Sequence, residues 1–316
     1  MNQGAWKELF TRYKGNPILK PSMWPYPVGA VFNPGAARFN GEILLLVRTE
    51  DRRGYSHLSI ARSKDGKTGW QIDPKPALLA DAEHNEATCG LEDPRIVWLE
   101  DRQEYIIVYV SFVLGVAGEP PGISLVSTKD FIHFERLGQQ LVPPNKDASL
   151  FPKTFNGHYA LINRPTIEGR ADIWVLFSPD LRYWGDHRVL LRARHRSWDA
   201  ERVGIGPPPI ETSEGWLIIY HGTRATAAGS VYRVGLALLD LATLEVIHRS
   251  KDWVLAPEKR YEQAGSVADI VFPSGAVVDE KTKELLIYYG AADSVVGLAT
   301  AKLDEAVDYL KRCPVE

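Results

Sequence analysis

DPRIVWLEDRQEYIIVYVSF, Asp93 to Phe112, opens on a proline after an acidic residue, runs through a short apolar stretch, turns over a charged cluster and continues as an aliphatic stretch ending in polar residues. Two apolar runs around a polar turn read as an antiparallel hairpin. The phrase recurs as NPGAARFNGEILLLVRTE (Asn33 to Glu50), FPKTFNGHYALINRP (Phe151 to Pro165), PPPIETSEGWLIIYHGT (Pro207 to Thr223) and FPSGAVVDEKTKELLIYYGAAD (Phe272 to Asp293). Its anchoring prolines, Pro34, Pro94, Pro152, Pro208 and Pro273, are spaced by 60, 58, 56 and 65 residues, so five units account for nearly the whole chain.

Each unit carries a third apolar stretch: SHLSIARS, GISLVSTKD, ADIWVLFSPD, YRVGLALLD and VVGLATAKLD. Asn40-Gly41, Asn156-Gly157 and Glu214-Gly215 supply hairpin turns. Three units then enter a polar turn closed by an aromatic: Ser63, Asp65 and Trp70; Ser127, Asp130 and Phe134; Ser178, Asp180 and Trp184. Only DEAVDYLKRC, with Ala306, Val307 and Leu310 at helical spacing, reads as a helix. These patterns predict an all-β fold, a five-bladed β-propeller with a short C-terminal helix. They predict one domain over residues 1–316, with units near 28–80, 88–142, 147–195, 203–256 and 268–305.

Bulk properties narrow the function. The 37 Lys and Arg against 40 Asp and Glu leave a net charge of -3, so no global field favours nucleic acid or a membrane surface. Two distant cysteines, Cys89 and Cys313, make neither a disulfide framework nor a metal cluster. The N-terminal MNQGAWKELFTRYKGNPILKP lacks the apolar core of a secretion signal, and no apolar run reaches about 18 residues. The expectation is a soluble cytoplasmic protein without a metal; a homo-oligomer is left open.

In a propeller the first strand of each blade lines the axis, so polar residues beside the anchoring proline or at the end of the next strand converge there. Those positions hold Asn33, Arg48 and Glu50; Glu92, Asp93, Arg95 and Ser111; Asp147, Lys153 and Arg164; His221 and Arg224; and Asp293. Each has a plainer reading. Asp93 could cap a turn before Pro94, the arginines could pair with nearby carboxylates, His221 could be a satisfied core histidine, Lys153 a turn cation and Asp293 a loop cap. Trp184 and Trp216 read as blade core. Together, however, they put several ions of both signs in one funnel, where desolvation costs several kcal/mol per unpaired ion. Such clusters concentrate at functional sites.

Inverting glycoside hydrolysis needs an acid for the leaving oxygen and a base for water. Asp93 could be the acid, but Arg48, Lys153, Arg164 and His221 opposite it look more like a cradle for phosphate, which is already a nucleophile. With NPGAARFNGEILLLVRTE, GLEDPRI, NKDASLFPKTFNGHYALINRP, GIGPPPIETSEGWLIIYHG, YRVGLALLDL and VFPSGAVVDEKTKELLIYYGAADSVVGLATAKL, the chain resembles the inverting β-mannoside phosphorylases and β-mannosidases of glycoside hydrolase family 130 over nearly its full length. The resemblance implies a five-bladed propeller and makes Asp93 the general acid, acting partly through a hydroxyl of the bound mannose. It implies that Asn33, Arg48 and Asp293 hold the sugar, with Glu92 and Arg95 grouped beside them. Lys153, Arg164, His221 and Tyr232 lie in segments that supply phosphate contacts.

The chain departs from the family pattern at Asn163-Arg164-Pro165, where related sequences read His-Arg-Pro, and at GSVADIVFP. The leading expectation is reversible phosphorolysis of a β-1,2- or β-1,4-linked manno-oligosaccharide to α-mannose 1-phosphate, with inorganic phosphate as co-substrate and no cofactor. The alternatives are an inverting β-mannosidase using Glu50, Glu92 or Glu201 as base, and a non-catalytic carbohydrate-binding propeller.

Overall fold

In the computed structural model, which describes residues 8–167 and 171–314, the apolar runs form strands that assemble blade by blade. Residues 1–7, on which part of the N-terminal reading falls, lie outside the described residues. After β1 (Thr11–Arg12), the first blade consists of β2 (Ala30–Phe39), β3 (Glu42–Glu50), β4 (Ser56–Ser63) and the short β5 (Gln71–Ile72). The second is β6 (Glu86–Leu99), β7 (Glu104–Val113), β8 (Pro121–Thr128) and β9 (Glu135–Leu141). The third is β10 (Asn145–Phe155), β11 (His158–Pro165), β12 (Ile173–Ser178) and β13 (Gly185–Leu191). In the fourth, the innermost strand is broken into β14 (Arg202–Ile205) and β15 (Ile210–Thr212), which both pair with β16 (Gly215–Thr226), followed by β17 (Gly229–Leu239) and β18 (Val246–Arg249). A single turn, α1 (Arg260–Gln263), precedes β19 (Val271–Val278), β20 (Glu284–Ala291) and β21 (Val295–Lys302) of the fifth blade, and α2 (Leu303–Lys311) follows.

Strands within each blade pair antiparallel, and among the described residues a single parallel pair, Ser56 with Gly90, joins the sheets of the first two blades. The first strands touch around the axis, β2 with β6 and β19, β6 with β10, and β10 with β14. Five apolar clusters fill the five gaps between neighbouring blades, so the ring is closed. This explains the unbroken aliphatic runs. Along β3, Leu44 and Leu46 face the second blade while Ile43, Leu45 and Val47 face the fifth. A strand sandwiched between two sheets needs apolar residues on both faces. Ala306, Val307 and Leu310 of α2 are buried, as their helical spacing predicts. Among the described residues no helix is long and apolar enough to cross a membrane.

The polar turns are built by hydroxyls donating to the aspartate two residues on, Ser63 to Asp65 at 2.9 Å and Ser178 to Asp180 at 3.2 Å. In the second blade Thr128 takes this place, at 3.5 Å from Asp130, instead of Ser127.

The fifth blade obtains its outer strand from the other end of the chain: Thr11 pairs with Thr300 and Arg12 with Ala299. Arg12 Nε donates to Glu262 Oε1 at 2.8 Å, and the Glu262 side chain is fully buried, where it also accepts from Tyr289 at 2.7 Å. Removing one partner of a buried ion pair leaves an uncompensated charge, a loss of about 3 kcal/mol. Arg12→Ala is therefore expected to lower the melting temperature by several degrees, whereas Lys67→Ala, at a half-exposed pair with Glu284, shifts it little; differential scanning calorimetry reads both.

Candidate active site

A repeated irregularity builds the site. The register between first and second strands slips between Phe32 and Gly35, Glu92 and Arg95, and Lys146 and Ser149. Within these slips Asn33, Asp93 and Asp147 have φ of 44°, 49° and 50°, a region that Asn and Asp tolerate better than other side-chain-bearing residues. A bulge re-aims its side chain, and all three line one axial cavity of about 340 Å³. The second strands deliver Arg48 opposite Phe32, Arg164 opposite Lys146 and His221 opposite Gly204. Gly204 must lack a side chain, because a Cβ there would lie 2.4 Å from both Asp147 Oδ2 and His221 Cε1.

The cavity has two halves. In the first, Asp93 Oδ1 accepts from Asn33 Nδ2 at 2.8 Å and from Arg48 at 3.2 Å. Arg48 also donates to Glu50 at 2.9 Å and Glu92 at 2.5 Å, and Lys146 donates to the other Glu92 oxygen at 3.0 Å. Burial pushes the Asp93 carboxyl up, but Arg48, Arg95 and Lys146 outweigh it and hold the group below the usual carboxylate range. Asp293, at φ 47°, completes this half.

In the second half, Arg164 Nε donates to Asp147 Oδ2 at 2.6 Å, and its two terminal nitrogens have no partner among the described residues. Arg202 and Tyr232 line the same side, and the Tyr232 ring stacks on His221 at 5.7 Å. Burial opposes ionisation of Asp147, yet Arg164 and Arg95 hold it anionic. Burial, reinforced by Arg164, Arg95 and Arg202, overcomes the attraction of Asp147 and pushes the His221 imidazole down to about 4, so it is neutral at pH 7. Asn33 Oδ1, Asn145 Oδ1 and His221 Nδ1 are buried without a partner, all on residues lining the cavity. Orphaned polar atoms clustered in one cavity suit a site that binds a polar ligand.

The structure thus brings Asn33, Arg48, Asp93, Arg164, His221, Tyr232 and Asp293 together, and it corrects the sequence reading elsewhere. Lys153 is on the outside: its side chain is 58% exposed and its ammonium donates to Glu211 at 2.7 Å. The proline of Phe151-Pro152 is not the counterpart of Pro34 and Pro94; the third-blade bulge lies five residues earlier, so Lys146 occupies the cavity instead. Arg95 is buried beneath the floor, donating to Gly206 O at 3.1 Å, Ile205 O at 3.3 Å and Asp93 O at 2.5 Å, so it fixes the backbone under the acid and does not face the cavity. Glu92 likewise sits behind Arg48 and Lys146. Ser111 bonds Ser124 at 2.7 Å and Arg224 is exposed, both away from the cavity.

Lys146 and Arg202 were missed by the repeat reading; the basic residue just before Asp147, and the one opening a strand before GIGPPP, are the signals that could have found them. Larger grooves of about 690 and 650 Å³ between the third and fourth blades are lined by other residues, including Tyr183, Trp184 and Arg188. Convergent polar groups, more than volume, mark a site.

A propeller whose axial cavity sets buried carboxyls against arginines, a lysine and a histidine has residue types suited to a glycoside-cleaving enzyme. The chain belongs to glycoside hydrolase family 130, whose profile, described as β-1,4-mannooligosaccharide phosphorylase, matches residues 10–312. It is 38% identical to the 1,2-β-oligomannan phosphorylase of Thermoanaerobacter sp. (strain X514), over 93% of this chain and 97% of that one. It is 34% identical to the β-1,4-mannooligosaccharide phosphorylase of Ruminococcus albus, over 96% and 92%. Its fold matches that of the β-1,2-mannobiose phosphorylase of Listeria innocua, solved with β-1,2-mannobiose, at a TM-score of 0.85 and 34% identity, covering 96% of this chain and 99% of that one.

Proposed function

We propose that the protein is an inverting β-mannoside phosphorylase, which cleaves a β-1,2- or β-1,4-linked manno-oligosaccharide with inorganic phosphate to give α-mannose 1-phosphate. The observation carrying this reading is the division of the cavity. Its basic half offers the free end of Arg164, with Arg202 and Tyr232, while the three glutamates weighed as a water-activating base are occupied. Glu50 and Glu92 are held by Arg48, and Glu201 accepts from Thr223 at 3.1 Å, from Ser230 at 2.7 Å and from Arg202. None of these three lines the cavity.

In this mechanism Asn33, Arg48 and Asp293 hold the mannosyl unit in the first half. Phosphate in the second half attacks the anomeric carbon from the face opposite the leaving sugar. The glycosidic C–O bond breaks as Asp93 delivers a proton to its oxygen, directly or through a sugar hydroxyl, and phosphate oxygen takes the anomeric position with inversion. A phosphate dianion offsets the cations that hold Asp93 low, and the sugar excludes water; both raise Asp93 toward the protonated form an acid needs. Arginine forks suit phosphate oxygens, and neutralising its charge is the main catalytic demand. A sugar 1-phosphate is useful where other enzymes can consume it, which favours a cytoplasmic location.

The test is incubation with β-1,2- and β-1,4-mannobiose with and without phosphate, following α-mannose 1-phosphate by phosphorus NMR. Phosphate-dependent formation of the α-anomer is expected with at least one linkage. Equal release of free mannose without phosphate would overturn the reading in favour of a mannosidase.

A further inference from the structure

Four carboxyl groups gather at the first half of the cavity, Asp93 and Asp293 in its lining and Glu50 and Glu92 behind Arg48, with two cations, Arg48 and Lys146. Arg48 bonds Glu50, Glu92 and Asp93, Lys146 bonds Glu92, and Asn33 adds a donor to Asp93. Asp293 is the exception: it has no hydrogen bond or ion pair to any described residue, although it is half-buried and lines the cavity. Around it, the fourth blade presents His221, which is neutral, and Tyr232, whose hydroxyl is un-ionised; Arg202 is tied to Glu201, and Arg164 and Arg95 are balanced partly by Asp147. Four acids against two bases would leave this half with two excess negative charges out of bulk water. The carboxyl that no cation touches is where a proton relieves that charge at least cost.

We infer that Asp293 holds a proton in the free protein on the acid side of neutral pH and there meets the bound sugar as a hydroxyl donor, while Asp93 is the carboxylate. Burial is the main cause, and the like charges of Asp93, Glu50 and Glu92 add to it; the pull of Arg48 is insufficient, and the Asp293 carboxyl is pushed up to about 7. Two carboxyls in one cavity are driven in opposite directions, which is how paired acids acquire separate tasks. Asp293 then acts in sugar binding, and sugar affinity falls as pH rises through about 7 because the donor is lost. This assignment rests on the proposed function only in naming the ligand of this half as a sugar.

Infrared difference spectra of the free protein between pH 5.5 and 8.5 test the protonation directly. The wild type is expected to lose a protonated-carboxyl C=O band that Asp293→Asn lacks, and Glu50→Gln, which removes a negative neighbour, lowers the midpoint of that loss. In turnover, the wild-type KM for the mannoside should rise about 10-fold from pH 6 to pH 8, as the protonated fraction of a group titrating near 7 falls. Asp293→Asn, whose amide remains a donor, should show a flat profile. Absence of the band loss in the wild type, or an unchanged pH dependence in Asp293→Asn, overturns the inference. Absence of phosphate-dependent turnover by the wild type would instead overturn the phosphorylase reading, and the infrared result would still report on Asp293.

Discussion

Asp93→Asn is expected to lower kcat for phosphorolysis by about 100-fold or more while leaving the KM for the mannoside within about 3-fold, since an amide keeps the shape but has no proton to give the leaving oxygen. The fold should be preserved. Asn is among the few residues at ease at φ 49°, its Oδ1 can still accept from Asn33, and Arg48 keeps Glu50 and Glu92 as partners. Steady-state kinetics and thermal melts of both proteins give the answer: more than about a tenth of the wild-type rate in a stably folded variant removes Asp93 from the acid's role.

Arg164→Ala is expected to raise the KM for phosphate about 10- to 150-fold, the equivalent of a charge-assisted contact of roughly 1.5 to 3 kcal/mol, with the mannoside KM changing far less. His221 is neutral, so its contact is of the ordinary kind, and His221→Ala should cost about 2- to 10-fold. Synthesis from α-mannose 1-phosphate should suffer in parallel, because microscopic reversibility requires the same contacts in both directions. Lys153→Ala, at the exposed pair with Glu211, should leave both KM values unchanged. If Arg164 and His221 merely tied blades together through Asp147, both KM values would move together or only stability would fall, and equal changes for the two substrates would count against the cradle.

Much of the site was visible as spacing. Asn33, Asp93 and Arg48 stand at matching places in units that the prolines align, and the first two blades keep that alignment in three dimensions. The third blade breaks it. Its proline lies in a second register slip, between Leu150 and Thr154, five residues past the bulge that matters, so Lys153 falls outside the cavity although it follows a proline as Arg95 does. In the fourth blade the interrupted first strand hid Arg202. Arg95 is one residue beyond Pro94, yet its long side chain passes under the floor to carbonyls of the fourth blade, 110 and 111 positions away.

The blade count, the strand identities and the C-terminal helix followed from properties local in the chain: apolar runs, turn residues and punctuating prolines each act over a few residues, and five repetitions make the pattern unmistakable. What remained for the folded molecule to decide depends on partners far apart in sequence. The fifth blade is completed by Thr11 and Arg12 pairing with its last strand, for which two residues carry no periodic signal. Asp93 and Asp293 are the same residue type, but one lies against Arg48 and the other does not, and their opposite tendencies arise from that difference in distance, since Asp93 is the more buried of the two. Charge interactions act through space, so only the tertiary arrangement can assign them.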